Sequence, residues 1–136
     1  GYQNHLVYVK TGVLLVNHYA NFAGSNFMAT TPEGKVKKKV KEYLKSIGAW
    51  YYMPVSNGMG RSGCPDILVC LDGHFMAFET KALGKINNVT ANQKREIDEI
   101  RRANGVAHVV DCVEQVKTII EVHNEKIIKE RTSNQS

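Results

Sequence analysis

An α/β domain, with a central mixed sheet of about four strands flanked by helices, is predicted by three observations. Hydrophobic periods follow one another as a 3.6-residue pattern, three short strand-like runs, a second helical pattern, a strand and a last helix, the order αβββαβ plus a C-terminal helix. The runs at 66–71 and 74–78 are apolar on both sides, as strands covered by helices on both faces are. Boundary residues stand between these runs: Pro32, Gly48, Asp72-Gly73, Thr90 and Gly105.

Bulk properties narrow the class of molecule. A chain of 136 residues fits one domain. The formal charge of +5 favours an anionic partner, with nucleic acid the leading candidate. The three cysteines form no C-x-x-C pair, which points to a reducing compartment, and Cys70 and Cys112 sit in apolar runs where they are expected to pack as small hydrophobes. No window approaches the roughly 18 apolar residues of a membrane span, so a soluble protein without a membrane partner is expected.

Residues 1–27 differ from the rest, with Lys10 their only charged side chain. They are expected to be an N-terminal extension, either accessory or artefactual: a strand pair, a fragment of a longer product, or translated sequence upstream of a start at Met28. The ordered parts of a signal peptide are not found there.

The first helix starts at Thr30 or Thr31 as cap, with Pro32 in its first turn, and carries Val36, Val40, Tyr43, Leu44 and Ile47 on its apolar face. Gly48 ends it. The opposite face holds Lys35, Lys37, Lys38, Lys39, Lys41 and Lys45, either a solvated face or a phosphate-contacting one. Glu33 is the lone acid of the first turn, where it favours the helix N-terminus.

An aromatic strand over 49–54 contains Trp50, Tyr51 and Tyr52, and a glycine-rich loop over 55–63 follows, with Arg61 and Ser62 near its end. Such a loop lets a polyanion approach closely, or is an ordinary connection. It is not a phosphate-binding P-loop, because no Gly-Lys-Ser/Thr follows.

The central feature is the hairpin. Asp72-Gly73 supplies the positive-φ pair that a two-residue type I′ turn needs, which sets Leu71 opposite His74 and, counting outward, Asp66 opposite Glu79. Opposed residues share a face with Cβ atoms about 4.5–5.5 Å apart, so the two carboxylates repel unless a cation sits between them. Lys81 points to the same face by the period-2 rule.

Beyond a polar link over 82–89, Thr90-Ala91-Asn92-Gln93 matches a capping box, so a helix is expected from Ala91 to about Asn104, stopped by Gly105. Gln93 thereby has a structural role that competes with any chemical one. A short strand over 106–111 and a helix bearing Val113, Val116, Ile119, Ile120 and Ile127 complete the fold, and 131–136 are expected to be a disordered tail.

Hard cations such as Mg²⁺ and Mn²⁺ take oxygen ligands. Asp66 and Glu79, with the Thr80 carbonyl nearby, offer such a set; a cation held there polarises a phosphoryl oxygen and activates water for phosphodiester hydrolysis, with Lys81 beside it. Zinc is disfavoured, since Cys64, Cys70, His74, His108 and His123 lack ligand spacing. A serine hydrolase is excluded by the mismatch of Gly60-Arg61-Ser62-Gly63 to Gly-x-Ser-x-Gly. Two other readings stand beside hydrolysis: a non-catalytic nucleic-acid-binding module on the same fold, and a structural acid pair bridged by Lys81.

Pro65-Asp66, twelve residues, then Glu79-Thr80-Lys81 resembles the PD-(D/E)XK nuclease signature. With Gly60-Arg61-Ser62-Gly63 before it, and Thr90-Ala91-Asn92-Gln93 and Gly105-Val106-Ala107-His108-Val109-Val110 after it, the chain resembles a VRR-Nuc domain over residues 32 to about 118. The resemblance implies a restriction-endonuclease-like core within a nuclease domain at 28–130, and DNA cleavage with Mg²⁺ or Mn²⁺. It also implies a homodimer like the stand-alone, phage-type, Holliday-junction-resolvase-like members, acting on branched or junction DNA. The setting it implies is the cytoplasm of a bacterium or phage-infected host cell. By the same resemblance Glu33 joins Asp66, Glu79 and Thr80 as metal ligands, Lys81 is the catalytic lysine, and Gln93 is an active-site residue. Arg61, Ser62, Lys35, Lys38 and Lys39 are the expected DNA contacts. Thr80 replaces an apolar residue more usual between Glu and Lys, and is expected to expose a polar group.

Overall fold

The computed structural model describes residues 3–9, 12–18, 30–55 and 58–135. The boundary drawn after residue 27, the start at Met28, and Ser56 and Asn57 of the glycine-rich loop lie outside the described residues. The chain divides into two compact units, Gly1–Thr30 and Thr31–Ser136. In the first, β1 (Gln3–Val9) pairs antiparallel with β2 (Gly12–His18), Val9 opposite Gly12.

The second unit opens with α1 (Pro32–Ser46). The Thr31 hydroxyl accepts from the Gly34 N–H at 3.1 Å, Pro32 fills the position whose N–H would have no helical partner, and Gly48 ends the helix at φ +73°. Three strands follow: β3 (Trp50–Tyr52), β4 (Ile67–Leu71) and β5 (His74–Thr80). Asp72 and Gly73 both have positive φ, 50° and 79°, as a type I′ turn requires, and Leu71 lies opposite His74. Next come α2 (Ala91–Arg102), β6 (Val106–Val110) and α3 (Val113–Ser133). The sheet order is β3-β4-β5-β6, antiparallel except for the parallel pair β5 and β6. Parallel neighbours need a crossover, and α2 provides it.

Side-chain alternation sorts the strands between two cores. Ile67, Val69, Met76, Phe78 and Val110 face α1 and α3, where Val40, Leu44, Val116 and Ile120 close the larger core. Phe78 is fully buried, which stabilises the fold by about 2–3 kcal/mol. Ala77 and Ala107 face α2, with Ile97 in the smaller core. Small residues on the strands let α2 lie close.

Several expectations are corrected. The aromatic strand is only three residues long, because Pro54 has no N–H to extend the ladder. The helix before β6 is stopped by Asn104, in the left-handed conformation at φ +66°, while the N–H of Gly105 closes back on the Ile100 carbonyl at 2.9 Å. Gly105 is instead a contact residue: a Cβ there would lie 2.7 Å from Ile100 Cγ2. The last helix runs to Ser133, into the stretch expected to be a tail. Cys70 is exposed, and Cys112, half-buried, is the N-cap of α3 with no side-chain cap bond. On the α2 side of the sheet Leu68, Ala77 and Ala107 pack into the smaller core, whereas Trp50 and Tyr52 of β3, and Phe75 near the start of β5, stand exposed. No helix among the described residues is long and apolar enough to cross a membrane.

Candidate metal centre

At the end of the sheet where β4 begins and β5 finishes, the first turns of α1 and α2 approach from opposite faces. Asp66 immediately precedes β4 and Glu79 is the penultimate residue of β5. The pairing Ile67 to Phe78 sets Asp66 opposite Glu79, and the Asp66 N–H donates to Glu79 Oε2 at 3.2 Å. Glu33, one residue inside α1, brings the third acid: ligand oxygens of Glu33, Asp66 and Glu79 all lie within 4.8 Å of one another.

Each carboxylate is oriented. Thr80 donates to Asp66 Oδ2 from both its N–H, at 2.9 Å, and its hydroxyl, at 2.8 Å. Thr80 is fully buried, so the expected exposure of a polar group is corrected: the hydroxyl finds a charged acceptor and satisfies its hydrogen-bonding need inside the protein. Gln93 Nε2 donates to Glu79 Oε1 at 2.8 Å. The same side chain's Oε1 accepts from Lys81 Nζ at 3.0 Å and from the Thr90 N–H at 3.1 Å, the latter bond being half of the capping box. The structural role expected for Gln93 and its place beside the acids therefore coexist.

Lysines divide between the acids. Lys81 Nζ lies 3.6 Å from Glu79 Oε1, and Lys37 Nζ lies 3.6 Å from Asp66 Oδ1. Among the described residues Lys81 forms no ion pair with Asp66, so the reading in which it bridges both carboxylates is corrected. Lys37 was expected on a basic face that is either solvated or phosphate-contacting, not beside Asp66; the spacing i, i+4 from Glu33 is the signal that could have found it.

Burial and the neighbouring Asp66 carboxylate push the Glu79 carboxyl up to about 7, against the opposing pull of Lys81 and the Asp66 N–H. Three carboxyl groups this close, oxygen-only and partly desolvated, fit a hard divalent cation, whose charge would favour their ionised forms. Cys64, lining the same cleft, has its thiol pushed up by burial, then by Glu96 and Glu79, which disfavours a thiolate ligand.

The glycine-rich loop forms one wall of this cleft of about 590 Å³. Arg61 binds α2 rather than standing free: Nη2 donates to Glu96 Oε1 at 3.0 Å and also to Glu99, and these bonds raise its pKa further. Ser62 Oγ accepts from Asn92 Nδ2 at 2.9 Å. Gly63, at φ +86°, lies so close to α2 that a Cβ would come within 2.4 Å of the Asn92 carbonyl carbon and 2.6 Å of the Gln93 nitrogen. Glu96, the buried anchor of Arg61, was missed by sequence reasoning; a charged residue beside Ile97 on an apolar face was its only signal. Lys35, Lys38 and Lys39 are exposed on α1 and make no ion pair among the described residues.

A mixed sheet between helices, with two acids and a lysine at its strand ends and a third acid brought by α1, is the arrangement of a nuclease-type α/β domain. A solved structure described as a VRR_NUC domain matches with a TM-score of 0.54 and 33% sequence identity, over 67% of this chain and 96% of that one. The chain belongs to the VRR-Nuc family. No family model matches it, and no curated protein does.

Proposed function

We propose that the chain is a divalent-metal-dependent endodeoxyribonuclease that hydrolyses phosphodiester bonds in branched or junction DNA. The observation that carries this reading is the meeting of Glu33, Asp66 and Glu79 oxygens within 4.8 Å, with Lys81 Nζ 3.6 Å from Glu79. Glu33, Asp66 and Glu79 hold Mg²⁺ or Mn²⁺ in this reading, together with the Thr80 carbonyl. When bound, the cation supplies Lewis acidity and a water of lowered pKa. Thr80 and Gln93 keep the carboxylates aimed, through the bonds to Asp66 Oδ2 and Glu79 Oε1. Lys81, held by Gln93, offers a fixed positive charge to a nonbridging phosphate oxygen. Lys35, Lys38 and Lys39 contact the phosphate backbone, and Arg61 and Ser62 shape the loop beside the scissile bond.

The domain that does this spans 28–130, acting as a homodimer in the cytoplasm of a bacterium or an infected host, with 1–27 an accessory or artefactual extension. The test is a panel of labelled junction, flap and linear DNAs incubated with Mg²⁺, Mn²⁺ or EDTA. Cutting that needs the metal and is lost in Asp66→Ala and Lys81→Ala is expected. Metal-independent cutting, or full activity in either variant, overturns the proposal. Salt-sensitive binding without product under any metal identifies a non-catalytic binding module instead.

A further inference from the structure

Beyond the acids, the α2 side of the sheet carries a row of uncovered aromatic residues that nothing above employs. Trp50 and Tyr52 are 62% and 53% exposed, and Phe75 is 46% exposed. Register sets Trp50 opposite Cys70 and Cys70 opposite Phe75, with Tyr52 opposite Leu68 and Leu68 opposite Ala77. The next row of the same face is the end of the sheet, where Asp66 and Glu79 stand. Tyr52 is thus one row, about 7 Å along the strand, from the acid pair. Pro54, two residues past Tyr52, lines the cleft that Asp66 and Glu79 also line. The Trp50 and Tyr52 rings are nearly parallel, 12° between planes, with centroids 6.4 Å apart.

We infer that Trp50 and Tyr52 form a stacking platform for unpaired DNA bases next to the phosphate held at the acid site. This rests on the nuclease reading and narrows its substrate to DNA with an unpaired stretch beside the scissile bond. Two near-parallel rings, each more than half exposed, suit bases, each of which has a π-face. Base-paired duplex keeps those faces stacked within itself and cannot use them. Charge also favours this occupant: the platform residues Trp50, Tyr52, Leu68, Cys70 and Phe75 carry no ionised group that would compete for the bases, while the polyanionic backbone is met at the cleft. A second copy of the chain is a poorer fit. The three rings expose roughly 360 Å², against about 800 Å² per partner in a stable interface.

Trp50 is the single tryptophan, so its emission reports on the platform directly. The full chain is titrated with a ten-residue oligothymidylate and with a blunt duplex, in EDTA. Saturable quenching by the single strand and not by the duplex is expected. Tyr52→Ala should weaken single-strand binding about ten-fold, and Tyr52→Phe should retain it, because the ring face and not the hydroxyl is used. In Mg²⁺, the preference for a splayed-arm substrate over a blunt duplex should fall by a similar factor in Tyr52→Ala. No quenching by the single strand, equal quenching by both DNAs, or emission that follows a doubling of molar mass overturns the platform. Cleavage dependent on Asp66 and Lys81 but indifferent to Tyr52 removes the platform and leaves the nuclease. Quenching with the expected variant effects but no cleavage removes the nuclease and leaves the platform.

Discussion

Lys37 Nζ lies 3.6 Å from Asp66 Oδ1, so the basic face of α1 reaches into the acid site one helical turn past Glu33. The lysine sits where positive charge is needed when no cation is bound, and it competes with a cation for Asp66.

Lys37→Ala should therefore raise affinity for Mn²⁺ several-fold, read by titration calorimetry. Both partners are partly exposed, so thermal stability without metal should change by less than about 1 kcal/mol. Weaker metal binding in the variant would place Lys37 among the groups that assemble the site.

Glu79 gives the metal-free protein a pH dependence of definite sign. Between about 4.5 and about 7 the folded state keeps a proton on Glu79 that the unfolded chain has lost, so stability is full below that window and falls as pH rises through it. The loss is about 3 kcal/mol for a shift of this size. Melting temperatures across pH 4–8 should show the decline without metal, and Asp66→Asn, by removing the neighbouring charge, should lessen it without abolishing it, because burial is the larger cause. Metal affinity should climb with pH up to about 7 and level off above, since binding displaces that proton.

Gly63→Ala should cost about 2–3 kcal/mol and displace the start of α2, because a Cβ meets backbone atoms of Asn92 and Gln93 at 2.4–2.6 Å in addition to its left-handed strain. Gly58 is the control, with φ +76° and nothing within 4 Å of a Cβ there. Gly58→Ala should cost only the backbone strain, about 1 kcal/mol. Chemical denaturation of the two variants, with metal affinity measured beside it, separates the contributions.

Thr90→Ala and Gln93→Ala should lower stability alike, each by about 1 kcal/mol, since each removes one bond of the capping box. Only Gln93→Ala should also weaken metal binding, by about 10–100-fold, because it alone loses the bond to Glu79. Equal metal affinities in the two variants would reduce Gln93 to a helix cap.

The frame was legible in the sequence where chemistry is local. Asp72-Gly73 determines its own turn, and the turn determines the register that opposes Asp66 to Glu79. Thr31, Pro32, Thr90 and the capping bonds of Gln93 act within one helical turn of themselves, so those roles could be read without a fold, whereas Gln93's bonds to Lys81 and Glu79, 12 and 14 residues away, could not. Glu33 could not be read that way: its carboxylate reaches the site only because Val36, Val40 and Leu44 dock α1 on the sheet, and family resemblance supplied what local pattern could not. Lys37 failed for the same reason, and so did the partners of Arg61, which lie 35 and 38 residues away. The half-covered sheet was hidden because strand hydrophobicity does not say where a helix will land. Gly105 was mistaken for a helix stop because asparagine also tolerates the left-handed conformation, and Asn104 took that position first.

Position 93 has little substitutional freedom. Its side chain must accept from two donors, Lys81 Nζ and the Thr90 N–H, and donate to one acceptor, Glu79 Oε1. An ionised glutamate accepts but cannot donate, asparagine is one methylene too short to span from cap to strand, and lysine and arginine only donate. Glutamine meets all three demands at this reach, so one position carries both a helix start and an active-site geometry, and a change there alters the two together.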